Sequence, residues 1–269
     1  MYKWLAELKA CHDPGALTRR AWLRALLAAW SGHFPRTILD AGCGDGRNAF
    51  LVKEYWPWAT LVGVDASRDA VDKARRRAVV ERSPRTRFVV AELDSFEPEP
   101  AFDLVLCVDV LEHIVADGAA IATMTAFLRE NGVLIVHVPS VHQKHYFGVG
   151  DEDARFAGGE SHGHVRAGYD PVALTALLTS AGLEVTTVQP TVGLTAGWLS
   201  DLDYLFTRTP LQPLRIITYA AATVAAKVEV RRPPVQGRGL LAIARRGGFR
   251  DRGRGRGSVR PGLAVGVPA

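Results

Sequence analysis

Seven apolar runs of strand length alternate with amphipathic stretches along most of the chain. The predicted strands are residues 37–41, 60–65, 87–92, 102–110, 132–139, 183–190 and 239–245. The predicted helices are residues 16–33, which precede the first strand, and about 47–55, 67–82, 116–129 and 171–181. Helices between successive buried strands are typical of βα units. The pattern therefore predicts an α/β fold with a doubly wound, seven-stranded, mostly parallel sheet.

A second helical region, residues 193–231, separates the last two predicted strands. Its most apolar part runs from Leu214 to Val228, is too short to span a bilayer and contains Arg215 and Lys227. We expect a helical insertion that packs on the body as a lid over a ligand site, and no transmembrane segment. An interfacial helix near an apolar substrate is the alternative interpretation.

Charge is distributed unevenly along the 269 residues, whose formal net charge is +5. The segment from Arg231 onwards has ten arginines and one acid, Asp251, so it carries +9 and leaves −4 for the rest. Residues 247–269 include seven glycines and show no helical or strand period, which predicts a disordered tail. Nucleic acid could bind this Arg/Gly-rich tail, but a solvated tail without a dedicated partner is the preferred interpretation.

Composition narrows the protein class further. Three cysteines in a chain of this length exclude a disulfide framework, and the N-terminus lacks the apolar core of a secretory signal. Both features favour a reducing, cytoplasmic location. The predicted organisation is an N-terminal helical segment (1–34), a main domain (35–246) and the tail. The oligomeric state is left open.

A glycine-rich turn that could bind a ligand follows the first predicted strand. Asp40, Gly42, Gly44 and Gly46 lie in the segment LDAGCGDG, and Asp65 ends the second strand. Glycines let a ligand approach backbone N–H groups, and a carboxylate at the end of the second strand can accept hydrogen bonds from ribose hydroxyls. The dinucleotide fingerprint would need glycine at position 47, where the chain has Arg47, so a nicotinamide dehydrogenase is disfavoured.

This spacing resembles the first motif of class I S-adenosylmethionine-dependent methyltransferases. Residues 102–114, 131–140 and 163–185 are similar to later motifs of the ubiquinone-biosynthesis O-methyltransferase-like branch. The resemblance covers about residues 35–190 and implies S-adenosyl-L-methionine as the cofactor. The cofactor-binding residues that it implies are Asp40, Gly42, Cys43, Gly44, Gly46, Asp65, Ala66, Glu92, Leu93, Cys107, Asp109 and His113.

Histidines after the fifth predicted strand are the candidates for a general base. His142, His145 and His164 follow the strand where the resemblance places the acceptor. Asp109, Glu112 and His113 could instead share one helical face and bind a metal with His162 or His164, as in metal-dependent RNA 2′-O-methyltransferases. A metal-free site is the preferred interpretation.

The predicted function is methyl transfer to a small-molecule acceptor, with oxygen as the acceptor atom. Two alternatives remain: a metal-assisted RNA 2′-O-methyltransferase that uses the tail, and a cofactor-binding subunit without turnover.

Overall fold

A computed structural model of the protein describes residues 14–31, 33–97, 101–143, 145, 165–207 and 209–247. The predicted tail, apart from Gly247, lies outside these residues, as do His162 and His164. The strands are β1 (Thr37–Ala41), β2 (Thr60–Asp65), β3 (Thr86–Val90), β4 (Phe102–Val108), β5 (Leu128–Pro139), β6 (Leu183–Thr191) and β7 (Gly239–Arg246). The helices are α1 (Pro14–Ala28), α2 (Arg47–Tyr55), α3 (Arg68–Val80), α4 (Asp117–Phe127), α5 (Pro171–Ser180), α6 (Leu194–Thr207) and α7 (Arg215–Arg231).

The seven strands form one sheet in the order β3-β2-β1-β4-β5-β7-β6. Neighbouring strands run parallel, except that β7 is antiparallel to both β5 and β6. The predicted doubly wound, mostly parallel sheet is confirmed. Its direction of winding reverses between β1 and β4, and such a reversal opens a crevice at the carboxyl ends of the strands.

Both faces of the sheet are buried, which explains why its strands are nearly continuous apolar runs. In β4, Leu104 and Leu106 face the side covered by α1, α2 and α3, whereas Val105 and Cys107 face α4 and α5. Successive strand residues point to opposite faces, so one short apolar run supplies both cores. The helices therefore sit on the two faces and leave the carboxyl edge of the sheet open.

Two predicted boundaries differ from the structure. The helix expected at 116–129 ends at Phe127, and β5 begins directly afterwards at Leu128 instead of at residue 132. Asn131, with φ 62°, precedes Gly132 inside β5, where the pairing with β4 is irregular between Phe102 and Leu104. Because of this irregularity, the first residues of β5 do not follow the apolar periodicity that predicts a strand.

The expected helix at 16–33 ends at Ala28. Trp30 lies beyond that end and packs edge-on against Trp56, with the ring centroids 5.2 Å apart. Trp56 is the C-terminal cap of α2. Trp30 is therefore apolar because it packs on this cap, and not because α1 continues to residue 30.

Residues 193–231 form the two helices α6 and α7, which pack against each other and against α1. Among the described residues no helix is both long and apolar enough to cross a membrane. Glu229 of α7 is buried and attaches the pair to the body: its carboxylate accepts hydrogen bonds from Trp22 Nε1 at 2.8 Å and from the backbone N–H groups of Val192 and Gly193 at 2.7 and 2.8 Å. One carboxylate thus connects α7, α1 and the end of β6.

We predict that Glu229→Ala lowers the free energy of unfolding by about 3 kcal/mol, because three buried N–H donors lose their acceptor. Urea denaturation followed by circular dichroism measures the change. Glu184→Ala, at an exposed position of β6, is the matched control and should change stability by no more than about 0.5 kcal/mol. Equal effects of the two substitutions would contradict the role given to Glu229.

Candidate functional site

A cavity of about 680 Å³ opens at the carboxyl edge of the sheet. The turn after β1, the ends of β2 and β4, the segment after β3 and the N-terminal part of α1 form its walls. The predicted cofactor residues that line it are Gly42, Cys43, Gly44, Asp65, Ala66, Glu92, Leu93, Asp109 and His113. The volume lies within the range of ligand-binding cavities.

Glycine is required in the turn after β1 for two separate reasons. Gly42 has φ +72°, and a Cβ there would overlap the side chain of Val110. Gly44 has φ +52°, and a Cβ there would meet no atom within 4 Å. Because Gly44 also lines the cavity, any side chain at this position would occupy space that a ligand can otherwise use.

Asp65 fixes the turn from the neighbouring strand. Its carboxylate accepts hydrogen bonds from the N–H of Gly44 at 2.8 Å and from the N–H of Ser67 at 2.8 Å. A carboxylate has about four acceptor positions, so two backbone bonds leave capacity for a ligand hydroxyl. Asp65 therefore has a structural partner on the turn and still lines the cavity.

Three predicted cofactor residues do not line the cavity: Asp40, Gly46 and Cys107. Asp40 and Cys107 are buried at the next-to-last positions of β1 and β4, inside the carboxyl edge of the sheet. Gly46, with φ +81°, is the N-terminal cap of α2. The part that these three residues play in cofactor binding therefore stays a prediction.

Asp109 is the centre of a hydrogen-bonded chain across the edge of the sheet. Its φ is +55°, and its carboxylate contacts Arg19 Nε and His137 Nδ1, each at 2.7 Å. The other ring nitrogen of His137, Nε2, lies 2.9 Å from Thr191 Oγ1. Because a carboxylate only accepts, Nδ1 of His137 donates to Asp109, and in the neutral ring Nε2 accepts from Thr191. His137 is thus a buried structural histidine, as its place within a strand predicts.

Two buried carboxyl groups lie close to this chain. Burial, with a smaller contribution from the charge of Asp109, raises the pKa of Glu112 to about 8. Burial likewise raises the pKa of Asp40 to about 7, with smaller contributions from the charges of Asp65 and Asp45. Within the part of the chain that is described, Glu112 Oε2 and Asp40 Oδ2 are buried without a hydrogen-bond partner. Both side chains favour the protonated form at neutral pH or slightly below it.

The shared face expected for a metal site is not formed. Residues Leu111–His113 form a single 3₁₀ turn in which Glu112 is buried and His113 is exposed. Over the described ranges, no group of three His, Cys, Asp or Glu side chains is placed to hold a metal ion. The proposed further ligands, His162 and His164, lie outside those ranges.

The three candidate bases have different positions. His142 is half exposed, with Nε2 3.6 Å from Asp170, and lines a smaller cavity with Val192, Gly193 and Leu194. His145 is mostly buried, and its Nδ1 lies 3.3 Å from Asp201, which Arg238 holds through two hydrogen bonds of 2.7 and 2.6 Å. His164 is outside the described residues. Neither His142 nor His145 lines the 680 Å³ cavity.

Sequence reasoning missed the contribution of α1 to the cavity. Ala16, Arg19 and Arg20 line it, and Arg19 is bound to Asp109. The amphipathic pattern predicts the helix, but nothing in its spacing indicates that its polar side faces the glycine turn. Asp201 was missed for the same reason, because its partner Arg238 is 37 residues away.

Comparison with known proteins identifies relatives for most of the described fold. A family model described as a methyltransferase domain matches residues 16–188. The trans-aconitate 2-methyltransferase of Enterobacter sp. (strain 638) is 34% identical over 102 residues, which are 38% of this chain and 38% of that protein. That of Rhodopseudomonas palustris (strain BisB5) is 32% identical over 116 residues, or 43% of each. The chain thus matches only about two fifths of the length of these relatives.

Solved structures agree with the fold. The N-methyltransferase NodS from Bradyrhizobium japonicum WM9, in complex with S-adenosyl-L-homocysteine, superposes with a TM-score of 0.53 at 18% identity, covering 85% of this chain and 86% of that one. The cyclase SpnF superposes with a TM-score of 0.56 at 19% identity, covering 86% of this chain and 81% of that one. Likeness at this identity concerns the fold alone, and the two proteins carry the names of different reactions.

The raised pKa of Glu112 predicts a pH dependence of stability. Between its ordinary pKa of 4.5 and about 8, the folded chain keeps a proton that the unfolded chain releases, so the free energy of unfolding falls as the pH rises. We expect Glu112→Gln to reduce this fall. Urea denaturation at pH 5 and pH 8 measures it.

The comparison variant for this experiment is Asp40→Asn. Between pH 3.8 and about pH 7, the ordinary and the raised pKa of Asp40, this carboxyl group also keeps its proton only in the folded chain. Each substitution should remove part of the pH dependence, and the double substitution should remove more than either. An unchanged fall in all three variants would show that neither carboxyl group keeps its proton in the folded protein.

Proposed function

The chain belongs to the methyltransferase-domain family, and on that premise we propose that it transfers a methyl group from S-adenosyl-L-methionine to an oxygen atom of a small-molecule acceptor. The observation that carries the proposal is the cavity at the carboxyl edge, which the glycine turn leaves open at Gly44 and which Asp65 borders. The family model covers the elements that build this cavity.

The residues present fit the cofactor. The empty space beside Gly44 admits a ligand to the backbone of the turn, where the methionine part of the cofactor would lie. The remaining acceptor capacity of Asp65 suits the ribose hydroxyls, and Glu92 with Leu93 would border the adenine. When bound, S-adenosyl-L-methionine supplies a methyl group on a positively charged sulfur, which an acceptor attacks in line.

Asp109 is proposed as the side chain nearest to that positive charge. Arg19 and His137 hold its carboxylate at the end of β4, at the crevice where the sheet changes direction. A carboxylate in a fixed position can orient a cation without having to reorganise. The helix α1, which carries Arg19, at the same time covers one side of the cavity and limits the access of water.

Two similarities support an oxygen of a small molecule as the acceptor. The trans-aconitate 2-methyltransferases carry the name of a small organic acid. The segments around β4 and β5 resemble the ubiquinone-biosynthesis O-methyltransferase-like branch, whose acceptors are hydroxyl groups. The first similarity supports a small-molecule acceptor, and the second supports oxygen as the acceptor atom.

His145 is the proposed base for a hydroxyl acceptor. Asp201, held by Arg238, lies 3.3 Å from Nδ1 of His145 and would orient the ring, as a carboxylate does for a histidine base. His142 and His164 remain weaker proposals, because His142 is half exposed and His164 lies outside the described residues.

We predict that Asp65→Ala weakens the binding of S-adenosyl-L-homocysteine at least about tenfold, because the variant loses both the ribose acceptor and the bond that positions Gly44. Isothermal titration calorimetry measures the affinity. Asp69→Ala, at an exposed position in the first turn of α3, is the control and should bind as the unchanged chain does. No binding by the unchanged chain at millimolar ligand would refute the proposed function.

A second prediction concerns the base. With S-adenosyl-L-methionine and catechol as the hydroxyl acceptor, His145→Ala should lower kcat about a hundredfold or more, and Asp201→Asn should lower it less and shift its pH profile. With trans-aconitate, whose carboxylates are already ionised, neither substitution should change kcat. The release of S-adenosyl-L-homocysteine, measured by chromatography, gives the rates. Equal losses with both acceptors would argue against His145 as a base.

A further inference from the structure

Exposed apolar side chains are concentrated on α6, α7 and the segments beside them. Of the eighteen large apolar side chains that are exposed among the described residues, ten lie between residues 194 and 235. Large exposed apolar patches on a folded protein often mark interaction sites. The concentration of exposed apolar side chains therefore indicates a binding surface in this region.

Helix α7 has a buried face and, on another side, an exposed apolar stripe. Thr218, Ala222, Ala226 and Glu229 form its buried face. A second stripe, Ile217–Val224–Val228, has spacings of seven and four residues, which place it on one side of the helix. These three side chains are 61%, 62% and 51% exposed. Packing on the body therefore leaves this apolar stripe exposed to solvent.

A groove of about 550 Å³ lies between α7 and α1. Its apolar part includes Leu17, Ala21, Tyr219 and Val230. Four cationic side chains also line it, and no acidic side chain does so among the residues that are described: the cations are Arg20, Arg24, Lys227 and Arg231. The groove thus joins an apolar floor to a positively charged rim.

We propose that this surface, formed by the α1–α7 groove and the Ile217–Val224–Val228 stripe, binds the surface of an anionic lipid bilayer. The apolar stripe would enter the boundary between headgroups and acyl chains, and the cations would contact lipid phosphates. None of the described helices can cross a membrane, so the contact is with one leaflet. The binding does not depend on methyl transfer.

Charge selects a bilayer over a second copy of the chain. In a two-fold dimer each groove would face the same patch of its partner and bring the two sets of cations together. Such like-charge contacts oppose association. An anionic lipid surface instead supplies many negative charges next to an apolar layer, which matches both parts of the groove.

Sedimentation of the full chain with lipid vesicles tests the proposal. Vesicles of phosphatidylcholine with about one third phosphatidylglycerol should bind it, pure phosphatidylcholine vesicles should not, and added salt should weaken the binding. Ile217→Ser/Val224→Ser should lower the partition coefficient about tenfold. Lys227→Gln and Arg231→Gln should each lower it roughly fivefold.

Two controls distinguish this surface from the rest of the apolar exterior and from the arginine-rich C-terminus. Val79→Ser/Val80→Ser, at side chains 78% and 82% exposed on α3, should leave the binding unchanged. Neutralising the arginines beyond residue 247 to glutamine in the full chain should leave the effect of the α7 substitutions in place. The proposal is overturned if binding follows only those arginines, or if Ile217→Ser/Val224→Ser abolishes self-association in ultracentrifugation and leaves vesicle binding intact.

Discussion

The bonds of one carboxylate, Asp109, hold the carboxyl edge of the sheet together. Parallel strands end at a common edge, where backbone and side-chain polar groups must find partners while still leaving room for a ligand. Asp109 directly follows β4, has φ +55° and accepts hydrogen bonds from both Arg19 and His137, so it supplies an acceptor to two of these polar groups. His137 in turn contacts Thr191 at the end of β6. Four elements distant in sequence are thus connected through the pair Asp109–His137, and α1 with Arg19 forms one wall of the cavity.

Buried carboxylates also hold the two helices of the insertion to each other and to the body. Asp201 binds Arg238, Asp203 binds Arg215 and Thr218, and Glu229 accepts three N–H groups, and all three acids are buried. A buried carboxylate is stable only when it is paired, so these bonds specify one position for α6 and α7. Because polar bonds do much of the anchoring, part of the apolar surface of the two helices stays exposed.

Sequence patterns predicted the elements well and the side-chain partners poorly. The βα alternation indicated the strands and most helices because burial on both faces forces an apolar run whose length and flanking turns are local properties. The glycine turn was visible because a left-handed φ at Gly42 and Gly44 restricts the residue type directly. Arg19, Thr191 and Asp201 carried no such signal, since each is defined by a partner in another part of the chain. Cys107 and Asp40 do not line the cavity, because both are buried one residue inside the ends of their strands.

The sequence by itself determined the α/β class, the order of the elements, the glycine turn and the acid that ends β2, because periodicity, φ restrictions and motif spacing are local properties of the chain. Only the tertiary structure decided that α1 forms one wall of the cavity, that His137 contacts both Asp109 and Thr191, that Glu112 is buried while His113 is exposed, and that His145 lies against Asp201. These features come from long-range packing, in which side chains find partners according to strand order and burial and not according to their distance along the chain.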